Sequence, residues 1–175
     1  FQDRVRFIKD VSSRVELPER VDVVLADQIG QFGFEAGLFE YFGDARRRFL
    51  KPDGVTIPRR LDLYVCPIEF EDMWKQVDFW NSAPAGFDFR PARSLAANTG
   101  YPVKFNPGHL LGTPEVAWSV DPSSCDGVSL STRAQLNVTR PGILHGIGGW
   151  FVAQLSPHVT MSNSPLVAQR INRRN

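Results

Sequence analysis

The 175-residue sequence predicts a mixed fold, an α/β portion followed by a β portion, and three observations carry that expectation. A nearly continuous apolar run, VDVVLA at 21–26, precedes a set of apolar residues at helical spacing between Leu38 and Leu50. From about Ile57 onward apolar and polar residues alternate instead, in stretches bounded by Pro, Gly or Asn. Continuous apolar runs suit strands buried on both faces of a parallel sheet, whereas alternation marks strands with one covered face.

Taken in order, RVRFI at 4–8 is a short strand-like run, and a polar connection ending in Leu17, Pro18 and Glu19 leads to the buried strand at 21–26. A Gly-rich acidic loop follows, then a helix on which Phe39, Phe42, Arg46 and Phe49 fall at helical spacing around Leu38, Ala45 and Leu50. Arg46, Arg47 and Arg48 occupy its last turns, where positive charge suits the negative end of the helix dipole. Lys51, Pro52, Asp53 and Gly54 stop the helix and turn the chain into the next strand. Alternation then appears in LDLYV (61–65), VAWSV (116–120), VSLSTRAQLNV (128–138) and WFVAQL (150–155), the pattern of a barrel or sandwich. Residues 70–98 resist that reading: FEDMWKQVDFWNS is helix-like or irregular, and Pro84, Gly86 and Pro91 follow it, so the segment reads as an inserted arm or long functional loop.

Composition narrows the function classes. Hydrophobic content of 42% with 13 Phe and 4 Trp belongs to a globular chain. Twenty basic against 19 acidic residues leave a formal charge of +1, so neither a nucleic-acid surface nor an anionic-membrane surface is expected. The one basic cluster, Arg170, Arg173 and Arg174, reads as a solvated tail. Cys66 and Cys125 are too few for a disulfide framework or, alone, a metal site, and a reducing cytoplasm is the expected setting. His109, His145 and His158 are scattered without ligand spacing, so no metal is expected. The chain opens on Phe1 and runs straight into strand-like sequence, which reads as part of a longer protein.

Two carboxylates, Asp27 and Glu35, lie just past the end of the apolar strand, where open α/β sheets build their sites. Either could instead serve the backbone, Asp27 as a turn or cap residue and Glu35 as a cap for the helix that follows. His145 reads as a hydrogen-bonded strand residue, and Trp150 and Phe151 as core. Trp74, Phe79 and Trp80, three large aromatics within seven residues, suit an exposed arm that docks on another subunit, or a cover over the β portion.

The order of these pieces resembles the protein arginine methyltransferase family. The resemblance runs from VELPERVDVV through the acidic loop, KPDG and IPRRLDLYVCPIE, then DFWNSAPAGFDF, ILHGIGGWFVAQL and VTMSNSPL, in collinear order over nearly the whole chain. It implies the end of a Rossmann-like methyltransferase sheet at 1–56, followed by a β-barrel-like domain at 57–175 with 70–98 as a dimerisation arm. It implies S-adenosylmethionine as cofactor, with the main cofactor loop outside these residues and Asp10 and Val11 in the place of the adenine contact. It also implies Asp27 and Glu35 as the acidic pair that grips the methyl acceptor, a guanidinium or another group on a protein or small molecule, and a homodimer through the arm.

Two glutamates suit that task because their paired oxygens match the guanidinium fork and localise its charge away from the attacking nitrogen. Here the first position is Asp27, whose shorter side chain retracts the carboxylate by about 1.5 Å; a misplacement near 1 Å can cost about a hundredfold in rate. The second glutamate of the family falls at position 36, which is Ala36, and Glu35 stands one residue early. Gln28 and Gln31 replace usual aromatics, Ser12 and Ser13 stand where the family often has a Glu, and no His or Trp follows Pro165. Two readings therefore stand: the back part of a methyltransferase, and a non-catalytic binding or dimerisation module derived from that family.

Overall fold

The computed structural model describes residues 2–124 and 130–172; Cys125, the first residues of the expected 128–138 strand, Arg173 and Arg174 lie outside them. Two sheets organise the chain. β1 (Val21–Leu25) and β2 (Leu50–Ile57) form a parallel pair, joined by α1 (Leu38–Arg48). β3 (Arg60–Ile68), β4 (Glu115–Val120), β5 (Gly146–Ser156) and β6 (Val159–Ser162) form an antiparallel sheet in the order β4-β3-β5-β6. Between β3 and β4 stands a helical hairpin, α2 (Glu71–Asp78) and α3 (Arg90–Ala97).

β3 is the hub. It pairs with β5 without a break from Arg60↔Gln154 to Ile68↔Gly146, and with β4 on its other side. Its alternating side chains explain why: Leu61 and Leu63 are fully buried on one face, where they meet Ile29, Phe42, Val120, Phe151 and Ala153. Cys66 and Ile68 enter a second cluster with Phe105, Leu110 and Trp150. The expected core role of Trp150 and Phe151 is observed. α1 seats Leu38, Phe39 and Phe42 in the first cluster, so this core joins the parallel pair to the antiparallel sheet. The basic last turn predicted for α1 is present, and Arg48 closes onto Asp44 at 2.9 Å, an i,i+4 pair.

Four expectations need correction. RVRFI at 4–8 is not a strand: it is exposed, with Phe7 at 93%, because β1 pairs only with β2 and offers these residues no backbone partner among those described. For the same reason β1 is not buried on both faces, and Val23 and Leu25 face solvent. Lys51–Gly54 does not form a separate turn before the strand; it is absorbed into β2 as a bulge, between Val21↔Leu50 and Val23↔Val55. Gly54 permits this, since a Cβ there would come within 2.5 Å of Leu50 Cδ1. Finally, residues 130–138 run as irregular chain, paired only through the Gly112↔Val138 bridge, because no neighbouring strand among the described residues runs alongside them.

The segment 70–98, read as an inserted arm or long loop, folds as the helical hairpin. Arg93 lies over the Trp74 ring at 5.4 Å, and Phe79, Trp80, Phe87 and Phe89 form a chain of edge-on aromatic contacts between 5.4 and 6.4 Å. Phe79, Phe87 and Leu95 are exposed. No helix among the described residues is long and apolar enough to cross a membrane.

Candidate functional site

The acidic loop begins where β1 stops. Ala26 extends the strand by one more hydrogen bond, donating to the Ile57 carbonyl at 3.2 Å, and Asp27 follows with its side chain exposed. Ile29 then drops into the core at 1% exposure and anchors the loop from below. Gly30 and Gly33 take positive φ values of 73° and 125°, which turns the chain so tightly that successive amides point to one side.

Glu35 fills that concavity. Its carboxylate accepts from four consecutive backbone amides, those of Gln31, Phe32 (2.8 Å), Gly33 (3.1 Å) and Phe34 (3.2 Å). Partial burial pushes the Glu35 carboxyl upward, but the amide hydrogen bonds outweigh it and hold the group below its usual range. Both glycines are required here: a Cβ on Gly30 would come within 2.5 Å of Glu35 Cδ, and one on Gly33 within 2.2 Å of Leu63 Cδ2.

The loop is clamped from the far end of the chain by a residue that the sequence reading did not single out. Asn163 is fully buried; its Nδ2 donates to the Gln31 carbonyl at 2.7 Å and its Oδ1 accepts from the Phe151 amide at 3.0 Å. The signal that could have found it is an Asn in the Ser-rich turn VTMSNSPL, next to a strand, where a side-chain amide can stand in for a missing backbone partner. Aromatic contacts finish the clamp, with Phe34 set against Phe32 (5.7 Å), Phe39 (6.4 Å) and Trp118 (6.4 Å).

A cavity of about 640 Å³ opens between this loop, the ends of β3 and β5, and the helical hairpin. Glu35 lines it and Asp27 does not, so this cavity does not bring the two acids together. His145 also lines it; its Nδ1 accepts from the Phe70 amide at 2.9 Å and its ring stacks on Trp74 at 5.8 Å, a hydrogen-bonded position at the head of β5. His109 is likewise structural, capping the turn at Asn106 and stacking on Phe70 at 4.3 Å.

Asp10 and Val11 sit in the exposed N-terminal stretch. Asp10 Oδ1 accepts from the Val11 amide at 2.7 Å, and Val11 is half exposed. Arg48 holds the neighbouring turn by donating to the Ser12 carbonyl at 3.0 Å. Among the described residues no group of three metal-ligating side chains occurs, and the described Cys66 is a free, buried thiol whose burial pushes its pKa up.

No family model matches the sequence. The chain is 28% identical over 155 residues to protein arginine N-methyltransferase 1 of Chlamydomonas reinhardtii, covering 86% of this chain and 45% of that protein. It is 27% identical over 175 residues to protein arginine N-methyltransferase 6 of Xenopus laevis, covering 93% and 52%. Among solved structures, the fold is similar to the Trypanosoma brucei PRMT1 enzyme-prozyme heterotetrameric complex with AdoHcy, at TM-score 0.73 and 18% identity over 89% of this chain and 51% of that one. It is also similar to Arabidopsis thaliana protein arginine methyltransferase 10, at TM-score 0.64 and 21% identity over 93% and 56%. The chain thus spans about half the length of the relatives it matches. The sequence matches, with a shared fold, make the chain a distant homologue of the protein arginine methyltransferases over most of its length.

Proposed function

We propose that this chain supplies the acceptor-facing half of an S-adenosylmethionine-dependent methyltransferase, within a longer protein that also carries the glycine-rich cofactor loop. The observation that supports the reading is the fixed loop next to Asp27: residues 29–35 are held by Ile29, Glu35 and Asn163, and a carboxylate at a strand end beside a fixed loop suits acceptor positioning. Asp27 is the residue that accepts from the N–H groups of a guanidinium or other nitrogenous acceptor, and Glu35 is a positioning residue that holds the loop. Residues 1–56 belong to the cofactor domain, with Asp10 and Val11 beside the adenine, and 57–175 to a barrel whose arm at 70–98 pairs two subunits. The methyl donor is assigned from the relatives, one of which was solved with AdoHcy, and not from a cradle in these residues. The free Cys66 suits a reducing, cytoplasmic setting.

The test is methyl transfer by the longer protein with a labelled methyl donor. Asp27→Asn is expected to lower turnover by about a hundredfold or more while cofactor affinity stays unchanged, as calorimetry would record. Unaltered turnover removes Asp27 from the reaction.

One observation favours a second reading, a non-catalytic subunit. Glu35 spends its carboxylate on its own loop, and Ala36 stands where the family's second glutamate falls, leaving one acid where two are usual. In that case the longer protein shows no transfer alone, and Asp27→Asn leaves the activity of a catalytic partner untouched.

A further inference from the structure

We propose that His145 is a proton-operated latch on the helical hairpin: the neutral ring fastens the start of α2 to the head of β5, and the protonated ring releases it. This role is independent of the methyltransferase reading. The hairpin packs mainly on itself, so its hold on the sheet passes through few side chains. Phe70 stands at the cap position of α2, where its own apolar side chain accepts nothing. Its amide donates to Nδ1 of His145 at 2.9 Å, and one turn further on the Trp74 ring stacks on the same imidazole at 5.8 Å. The backbone of His145 is fixed to the sheet, its amide donating to the Ile68 carbonyl at 2.9 Å, so the ring is presented to the hairpin from β5.

An imidazole nitrogen that accepts a hydrogen bond carries no proton, so the single ring proton of the latched His145 sits on Nε2. A proton added at Nδ1 sets donor against donor, and the Phe70 amide loses its acceptor. The bond is therefore made at the higher pH and lost as pH falls through the range in which imidazoles titrate. Two carboxylates stand ready to hold the charged ring. Glu69, just after β3, and Glu71 on α2 both lie within electrostatic reach of His145. Both stay ionised in that range, because the Ile143 amide and Arg140 hold Glu69 below the ordinary carboxylate value and Lys75 does the same for Glu71. Arg140 and Lys75 are thereby each paired with a carboxylate, at 2.9 Å, and Arg93, over the Trp74 ring at 5.4 Å, also faces Asp78 at 4.0 Å. Glu35 and Tyr101 share the cavity wall with His145; loop amides hold the first, and the second donates its hydroxyl to the Ala96 carbonyl at 2.9 Å. His109, stacked on Phe70 at 4.3 Å, is a second imidazole at the foot of the hairpin. An imidazolium at 145 turns from the Phe70 amide toward the carboxylates, and since Phe70 and Trp74 line the cavity, its release loosens that wall.

The experiment is hydrogen exchange in the longer protein, read by mass spectrometry and corrected for the intrinsic effect of pH on the rate. Peptides spanning residues 70–78 should exchange about fivefold faster at about pH 5.5 than at about pH 7.5, while those from β3 and β5 keep their protection. His145→Asn puts a carbonyl that takes up no proton where Nδ1 stands, and should leave the hairpin equally protected at both values. His145→Leu removes the acceptor and should give the fast rate at both. An NMR titration of the unaltered protein needs no variant: the His145 ring carbons and the Phe70 amide should change with one midpoint. Hairpin exchange that ignores pH in the unaltered protein, slow exchange in His145→Leu at the higher pH, a pH step that survives His145→Asn, or separate midpoints for ring and amide each overturn the proposal; the third result makes His109 the sensor.

Discussion

Glu35 shows how one side chain can be conspicuous in sequence and yet do something other than what its type suggests. An acid in a Gly-rich loop after a strand invites a catalytic role, but the positive φ of Gly30 and Gly33 turns four amides toward it, and the carboxylate closes the loop. Its carboxyl is held below the ordinary value near 4.5, so its contribution is complete above that pH and is lost as pH falls through the lower folded value. Glu35→Gln should destabilise the protein at pH 7 by about 1 kcal/mol, a modest figure because the exposed side of the group is screened by water. In urea titrations the gap between the two proteins should narrow steadily below about pH 4.5 and close in stronger acid; a gap independent of pH would show that the charge is not what the loop uses. Asp27, whose position was equally visible, keeps an exposed side chain and retains the acceptor role as a proposal.

At the scale of elements, the loop depends on a strand that lies more than a hundred residues away. Asn163 follows β6, bonds Phe151 on β5 and reaches the Gln31 carbonyl, so the antiparallel sheet sets the position of a loop that belongs to the parallel pair. Asn163→Ala leaves a buried amide and a buried carbonyl unpaired and should cost about 2–4 kcal/mol in equilibrium unfolding, whereas a surface-like loss below about 0.5 kcal/mol would show that the clamp is dispensable. Several elements were legible beforehand: α1, β3, β4 and β5 carry their periodicity in the sequence and form as expected. RVRFI and VSLSTRAQLNV carry strand composition too, but the first is irregular and exposed and the described part of the second has only a bridge at Val138, since composition cannot supply a neighbouring strand. Asn163 escaped notice because its value comes from two backbone groups that only folding brings to it.

For the whole molecule, the helical hairpin is the feature that reaches outward. Phe79, Phe87 and Leu95 leave an apolar surface exposed on an element that packs mainly on itself, and such surfaces mark interfaces. If the arm pairs two subunits, replacing Phe79 and Phe87 together by Asp should weaken self-association by at least tenfold in sedimentation velocity while leaving the unfolding midpoint nearly unchanged. A protein that is monomeric before the change would remove the arm from that role. The order of the motifs, read from the sequence, determined the ancestry and the division into a parallel and an antiparallel part, because apolar periodicity and local spacing survive at 28% identity. The tertiary structure alone decided what the acidic loop does with its two carboxylates, since hydrogen-bond partners and burial are set by chain segments distant in sequence. Glu35 went to the backbone and Asp27 stayed at the surface for that reason, and the cavity beside them formed where the loop, the sheet and the hairpin meet without filling the space between them.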